Sequence, residues 1–363
     1  MKIFTRGEEI TYKLDELYEK HGYRRFKMNK FEEYAFYIEH KNFLKSENVI
    51  SFGDLDGKLM ALKPDITLSI AKNADTEKAS RVYYNENVYR SANGMREYKE
   101  IPQVGLEFIG DIDIYAECET ILLAARSMAM LGGRYTLDLS HMGFVGAMLS
   151  SHKLSEKTHA AVLEALGQKD GGEIYRLCVD DGSDEDSARR VASLAEIQGS
   201  FIGAYEKARA LCTCEQAEKA LDELATVYNF LKSADAADCV NLDLSIVNDM
   251  NYYNGIVFQG YLENVPRNVL SGGRYDNLLL KLGKSGGACG FSVYIDLIEL
   301  YRSSVAPHTC DVALIYGDGD DICAVEKLAD SYRASGNSVV VTKNECDVSA
   351  AKKIKFIGTG AEK

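Results

Sequence analysis

Apolar and polar positions follow two rhythms along this chain, and the switches between them outline its elements. Across residues 8–21 the apolar positions recur at helical spacing. Ile10, Leu14, Leu17 and Tyr18 fall on one face, and Gly22 ends the run. Residues 49–52 and 58–62 flank Asp56-Gly57, a pair that accepts the positive φ of a tight turn, so a hairpin is predicted. Pro64 stops the second strand, and residues 65–73 predict a short helix with Asp65 near its positive end. Residues 81–90 and 104–113 are rich in Val, Tyr, Phe and Ile and predict two long strands joined by a polar loop, 91–99. A helix over 116–131, closed by Gly132-Gly133, and a strand over 135–139 follow.

From about residue 143 to 237 helical periodicity replaces alternation, which predicts a helical insertion (about 150–237). Strand signals resume at 242–247, 252–261 and 268–270. Asn254-Gly255 carries a hairpin signal inside one of these runs, where a bulge competes with it. Residues 311–316, 321–335 and 338–342 predict strand, helix and strand, with 354–358 as a further strand. The expected fold class is therefore α+β: a sheet flanked by helices over residues 1–303, then a small α/β domain over 309–363.

Composition narrows the function. Lys and Arg number 42 against 55 Asp and Glu, a net charge of −13, which disfavours a broad nucleic-acid surface. Nine cysteines are scattered without a CxxC pair, so reduced thiols are expected and no metal site. The start is polar and no long apolar run follows, so a soluble, cytoplasmic protein with no membrane contact is expected. None of the six histidines has metal-ligand spacing or a nearby nucleophile. His141, after a strand, reads as structural.

Three stretches could carry chemistry. On a strand, Gln103, Gly105 and Glu107 share one face, where amide and carboxylate oxygens would accept from an ammonium group; a solvated sheet face would have the same pattern. Arg90 nearby offers a bidentate fork for a carboxylate or phosphate. Tyr252-Tyr253 and Gly272-Gly273-Arg274-Tyr275-Asp276 suit an aromatic guest approached closely by backbone, or simply core tyrosines beside a Gly-Gly turn. Ser285-Gly286-Gly287-Ala288-Cys289-Gly290 lacks a phosphate-loop ending and reads as tight strand packing. Gly317-Asp318-Gly319-Asp320-Asp321 is too acidic for a phosphate and reads as a helix cap.

In order and spacing, Leu62-Lys63-Pro64-Asp65-Ile66-Thr67, Arg90, Gln103 to Gly110, Asn251-Tyr252-Tyr253-Asn254-Gly255 and Gly272 to Asp276 resemble the class II aminoacyl-tRNA synthetase core. The histidyl enzyme is the nearest likeness, over roughly residues 4–301. The resemblance implies an antiparallel sheet flanked by helices, with the tail as a truncated anticodon-binding-like domain. The departures fall on activating groups. Asn248 and Leu297 stand where that family has arginines; Glu97, Lys99 and Glu100 alter an arginine-rich loop; Asn29 replaces a proline. Fixed cations stabilise the adenylation transition state, and losing one such group typically costs about 10²–10³ in rate.

Asp65-Ile66-Thr67 and Leu139-Ser140-His141-Met142-Gly143 are similar to the histidyl-synthetase-like regulatory subunits of ATP phosphoribosyltransferase. That likeness implies a non-catalytic subunit without a cofactor. Its implied partners are a short-form catalytic subunit and a second copy of itself, with histidine as effector and no tRNA. By the same likeness, Asp65, Thr67, Arg90, Gln103, Glu107, Tyr252 and Tyr253 form a histidine pocket. Asp65 and Glu107, helped by Gln103, take the ammonium group, Arg90 takes the carboxylate, and the tyrosines wall the ring. Arg274 either joins them or braces the Gly-Gly turn. Two rival readings are an active histidyl-tRNA synthetase and a histidine-binding scaffold with another partner.

Overall fold

A computed structural model describes residues 6–41, 44, 49–76, 78–91, 98–152, 154–247, 252–302, 310–345 and 348–355. By its contacts the chain divides into a large unit, Glu9–Ile298, and a small one formed mainly by the segment from Glu299 onward.

The large unit begins with helix α1 (Arg6–Lys20) and a short strand β1 (Arg24–Arg25). Strand β2 (Phe31–Glu33), helix α2 (Tyr34–Glu39), strands β3 (Ser51–Gly53) and β4 (Leu59–Leu62), and helix α3 (Thr67–Asn73) follow. The expected hairpin is present: β3 pairs antiparallel with β4, and Gly57 takes φ +81 in a turn tied to the Asp54 carboxylate.

Two long strands, β5 (Ser80–Ser91) and β6 (Tyr98–Gly110), pair antiparallel across their whole length. The second starts six residues earlier than its apolar run because pairing with β5 extends it into polar sequence. Helix α4 (Ile114–Leu131) is capped by the Asp113 carboxylate, which accepts from Ala116 N at 2.8 Å, and ends at Gly132 with φ +75. Strand β7 (Tyr135–His141) leads into the insertion: helices α5 (Met142–Ser150), α6 (Glu156–Gly167), α7 (Gly171–Asp180) and α8 (Glu185–Ala192), a 3-10 turn, a three-residue strand β8 (Gln198–Ser200), and helices α9 (Phe201–Leu211) and α10 (Glu215–Ser233). The chain re-enters the sheet at β9 (Val240–Asp243), parallel to β7. This strand is shorter and earlier than predicted because the Asp243 carboxylate accepts from the Ser245 N–H and hydroxyl, which turns the chain. Strands β10 (Ile256–Leu262) and β11 (Asn268–Arg274), helix α11 (Asp276–Lys281), strand β12 (Gly287–Tyr294) and helix α12 (Ile295–Arg302) complete the unit. Asn254-Gly255 makes neither a hairpin nor a bulge. It precedes β10, whose irregularity lies at Gly260/Tyr261.

The nine strands order as β1-β5-β6-β12-β11-β10-β7-β9-β8. The sheet is antiparallel from β5 to β7, as expected, with parallel pairs where β1 meets β5 and β7 meets β9. Its two faces differ. One face packs Val104, Leu106, Phe291, Val293 and Leu270 into the main apolar core with α1, α4 and the insertion. On the other, the register brings Gln103, Gly105 and Glu107 beside Ser292, Gly290, Ser271 and Gly273. Gly272-Gly273, whose residue type also fits a turn, instead lies inside the central strand β11. A methyl group on Gly272 would collide with Gly290 O and Phe291 Cβ.

The small unit pairs strand β13 (Cys310–Ile315) in parallel with β14 (Val339–Thr342) and β15 (Ala350–Lys355), and helix α13 (Ile322–Ala334) packs with them. Asp321 caps α13 through Cys323 N, as its acidic loop suggested. The strand expected at 354–358 begins at Ala350, and residues 356–358 lie outside the described residues. Among the described residues no helix is long and apolar enough to cross a membrane.

The close strand spacing at Gly272 predicts that Gly272→Ala lowers stability by about 1–3 kcal/mol, read by urea unfolding. A second prediction concerns Asp15 on α1, whose Oδ1 is buried without a hydrogen-bond partner. Burial pushes its pKa from 3.8 up to about 6. Between those values the unfolded chain ionises while the fold keeps the proton, so stability falls as pH rises through that window. Asp15→Asn should therefore raise the melting temperature at pH 7.5, and the gain should vanish near pH 4.

Candidate functional site

The polar face of β6, β12 and β11 is covered, not solvated. Gln103 and Glu107 are buried there at 3% and 2% exposure. Helix α3 closes one side and is tethered at both ends. At its start the Asp65 carboxylate accepts from Leu68 N at 2.8 Å. At its end Lys284 Nζ donates to Ala71 O, Lys72 O and Ala74 O at 2.8, 2.6 and 2.6 Å. This placement aims Thr67 at the sheet, where its hydroxyl donates to Glu107 Oε1 at 2.6 Å. From the other side Tyr275 donates its hydroxyl to Glu107 Oε2, also at 2.6 Å. The carboxylate lies over Gly290, directly opposite it in the sheet, where a Cβ would collide with it.

Around this carboxylate is a cavity of about 20 Å³, room for roughly one water. Asp65, Thr67, Arg90, Gln103, Glu107, Tyr252 and Tyr253 all line it, so seven of the eight residues singled out from sequence meet at one place. Tyr252 and Tyr253 contact each other edge to face with centroids 4.6 Å apart, and Tyr252 lies 5.6 Å from Tyr275. Burial pushes the hydroxyls of Tyr252, Tyr253 and Tyr275 well above the usual phenol range, so they stay protonated as hydrogen-bond donors.

Arg90 is already engaged. Its Nε donates to Pro64 O at 2.6 Å, and its Nη2 lies 3.5 Å from Asp65 Oδ2. Arg274, the eighth residue, does not line the cavity. It lies on the opposite side of β11, where Nη1 meets Glu117 Oε1 at 2.6 Å and Nε meets Asp276 Oδ2 at 2.8 Å. Strand alternation explains this: Ser271, Gly273 and Tyr275 share one parity, and Gly272 and Arg274 the other. Arg274 thus ties β11 to helices α4 and α11, and braces no Gly-Gly turn.

Sequence reasoning missed Ser271, Gly290, Phe291 and Ser292 as lining residues, and did not name Tyr275 among them. Period two from Gly273 would have pointed to Ser271 and Tyr275. Ser292 and Gly290 depend on the pairing of β12 between β6 and β11, which sequence does not display.

Positions expected to lack activating groups divide. Leu297, on α12, packs against the main apolar core and supplies no charge. Asn248 and Glu97 lie outside the described residues. Lys99 and Glu100 are exposed at the start of β6, with Glu100 accepting from Asn87 and Tyr89 at 2.5 and 2.9 Å. Among the described lining residues, two carboxylates stand against one guanidinium. His141 is buried and structural: Nδ1 accepts from Phe144 N at the start of α5, and Nε2 meets Glu223 Oε2 at 2.8 Å. No cluster of metal-ligating side chains occurs among the described residues.

Comparison with known proteins gives four further findings. The family profile described as histidyl-tRNA synthetase matches residues 3–298. An ATP phosphoribosyltransferase regulatory subunit of Geobacillus kaustophilus is 32% identical, covering 79% of this chain and 74% of that protein. A solved structure titled ATP phosphoribosyltransferase regulatory subunit/histidyl-tRNA synthetase, from Bacillus halodurans, superposes with TM-score 0.76 at 27% identity, covering 97% of this chain and 94% of that one. The ATP phosphoribosyl transferase (HisG:HisZ) complex of Thermotoga maritima contains a chain with TM-score 0.64 at 20% identity, covering 80% of this chain and 98% of that one.

The geometry predicts that Tyr275→Phe, which takes a donor from a buried carboxylate, lowers stability by about 1.5–3 kcal/mol at pH 7. Urea unfolding checks it, and Thr67→Val should act in the same direction.

Proposed function

This chain belongs to the family of ATP phosphoribosyltransferase regulatory subunits, built on the histidyl-tRNA synthetase fold, and we propose that it serves a short-form catalytic subunit in histidine biosynthesis. It is not itself an enzyme; it makes its partner active and carries feedback inhibition by histidine to it. The observation that carries this reading is the composition of the cavity. Asp65, Glu107, Gln103, Thr67 and three tyrosine hydroxyls suit the polar groups and flat ring of a small amino acid. The one guanidinium among the described lining residues, Arg90, is already turned toward Asp65 and Pro64 O, and Leu297 is apolar. Such a site holds a ground state. Among the described residues it shows one guanidinium and no second fixed cation to stabilise a phosphate-centred transition state.

In the proposed complex Asp65 and Glu107 take the ammonium group with Gln103 assisting, Arg90 turns to the carboxylate, and Tyr252 and Tyr253 wall the imidazole. A cavity of about 20 Å³ does not admit this guest as it stands, so side chains of the tyrosine wall must swing aside as it enters. The core pairs with a second copy of itself as class II cores do, works in the cytoplasm and does not use tRNA. The small C-terminal unit is read as a truncated anticodon-binding-like domain.

The test is reconstitution. Mixing the purified chain with a short-form ATP phosphoribosyltransferase catalytic subunit should restore turnover that histidine then inhibits. The chain alone should give no histidine-dependent pyrophosphate exchange. A Glu107→Gln chain should still restore turnover but require about tenfold more histidine for inhibition. Failure to stimulate the catalytic subunit, or formation of an aminoacyl-adenylate, would overturn the reading.

A further inference from the structure

Asn254 follows the tyrosine pair directly and is exposed, yet its backbone and side chain make three hydrogen bonds. Its N–H donates to Arg274 O at 3.1 Å. Its side-chain Nδ2 donates to Asp276 Oδ2 at 2.9 Å, and its Oδ1 accepts from Asp276 N at 3.0 Å. Asp276 is fixed in turn: Oδ1 accepts from Ala288 N at 2.9 Å, and Oδ2 also accepts from Arg274 Nε at 2.8 Å. Arg274 is anchored at its far end by the buried Glu117 of α4. Burial raises the Glu117 carboxyl and Arg274 opposes that shift, so each group stabilises the other's charge. The next residue, Gly255, lies against the Arg274 stem, where a Cβ would stand 3.0 Å from Cδ. Its carbonyl accepts from Met142 N at 3.0 Å. Gly273 in turn supports the wall, since a Cβ there would stand 2.8 Å from Tyr253 Cδ1.

We infer that Asn254, Asp276 and Arg274 form a clamp that positions the backbone of Tyr252 and Tyr253 for ligand binding without touching the ligand. This rests on the amino-acid pocket proposed above. The physical basis is preorganisation. The tyrosine side chains must move to admit a guest, and a backbone held at three points keeps that cost confined to side-chain rotation. Without the clamp, binding would also have to order residues 252–255.

Asn254→Ala tests the clamp in the full-length chain, because an exposed asparagine can be truncated without opening the core. A conserved-charge variant, Arg274→Lys, keeps a cation near Glu117 but cannot reach both carboxylates in the same fork geometry. Two readouts are needed. Hydrogen exchange of peptides covering residues 252–258 should speed up in both variants while α4 and β6 keep wild-type protection. Histidine affinity by calorimetry should fall about tenfold, with the melting temperature of Asn254→Ala within a few degrees of wild type. Wild-type exchange at 252–258 in Asn254→Ala, or histidine affinity equal to or above wild type, would overturn the clamp. If the wild-type chain binds no histidine, the pocket reading and the clamp's role in ligand binding fall together. Wild-type exchange in the variants with histidine affinity reduced would leave the pocket standing and remove the clamp alone.

Discussion

The site is organised around one buried carboxylate. Glu107 stands on the long strand β6 with its oxygens satisfied by hydroxyls from two separate elements, Thr67 at the start of α3 and Tyr275 after β11. A carboxylate left short of donors in that position would be strongly destabilising, so each of its partners is fixed by necessity. It demands glycine at position 290 across the strand pair, because any side chain there would occupy its volume. It demands that α3 be held close, which the Asp65 cap and the Lys284 tether at opposite ends achieve. Gly105 follows the same logic one pleat along the strand: the Tyr84 hydroxyl occupies the place of its side chain and pairs with Ser292 at 2.5 Å.

This arrangement inverts the usual division of a sheet. An antiparallel sheet with one apolar and one polar face normally buries the first and wets the second. Here both are buried. The apolar face packs on α4 and the insertion, and the polar face is closed by α3, α11 and the tyrosine segment around a second apolar cluster that includes Tyr84, Val88, Ile66 and Leu278. The insertion leaves the sheet at β7 and returns at β9, its parallel neighbour, so about a hundred residues enter the fold without disturbing the strands that carry the pocket.

How legible this was in the sequence depended on whether a signal was local. Period-two alternation put Gln103 and Glu107 on one face, and the β-rich runs around them marked both long strands. The Asp56-Gly57 turn and the Gly132 helix end were equally local. Alternation could not say whether the polar face was wet or covered, since that is decided by α3 and α11 packing from elsewhere in the chain. Glycine pairs were ambiguous for a physical reason: the missing side chain that permits a turn also permits close strand approach, and at Gly272-Gly273 the second use applies. Arg274 illustrates a different limit. A charged residue next to a motif invites a ligand role, but its parity along β11 turns it toward Glu117. The Ser292 contribution arises only from the order β6-β12-β11, which joins strands about 180 residues apart in sequence.

A pocket of this kind suits control better than chemistry, and its size supplies the reason. An effector shifts an equilibrium only through a difference in its affinity for two states; equal binding to both shifts nothing, however tight. A preformed open pocket offers no such difference by itself. With the proposed guest, a cavity with room for about one water does, because that guest would fit only a conformation in which the wall has moved. Binding energy from the carboxylates and hydroxyls is then coupled to that movement from the start. The same polar groups would serve a catalyst poorly, since they meet the amino acid as it is and not the charge that develops when it reacts with a phosphate. In the proposed reading, the single guanidinium among the described lining residues and the tight, donor-rich pocket serve the same end. On that reading the interactions of the site are available to bias one arrangement of the protein over another.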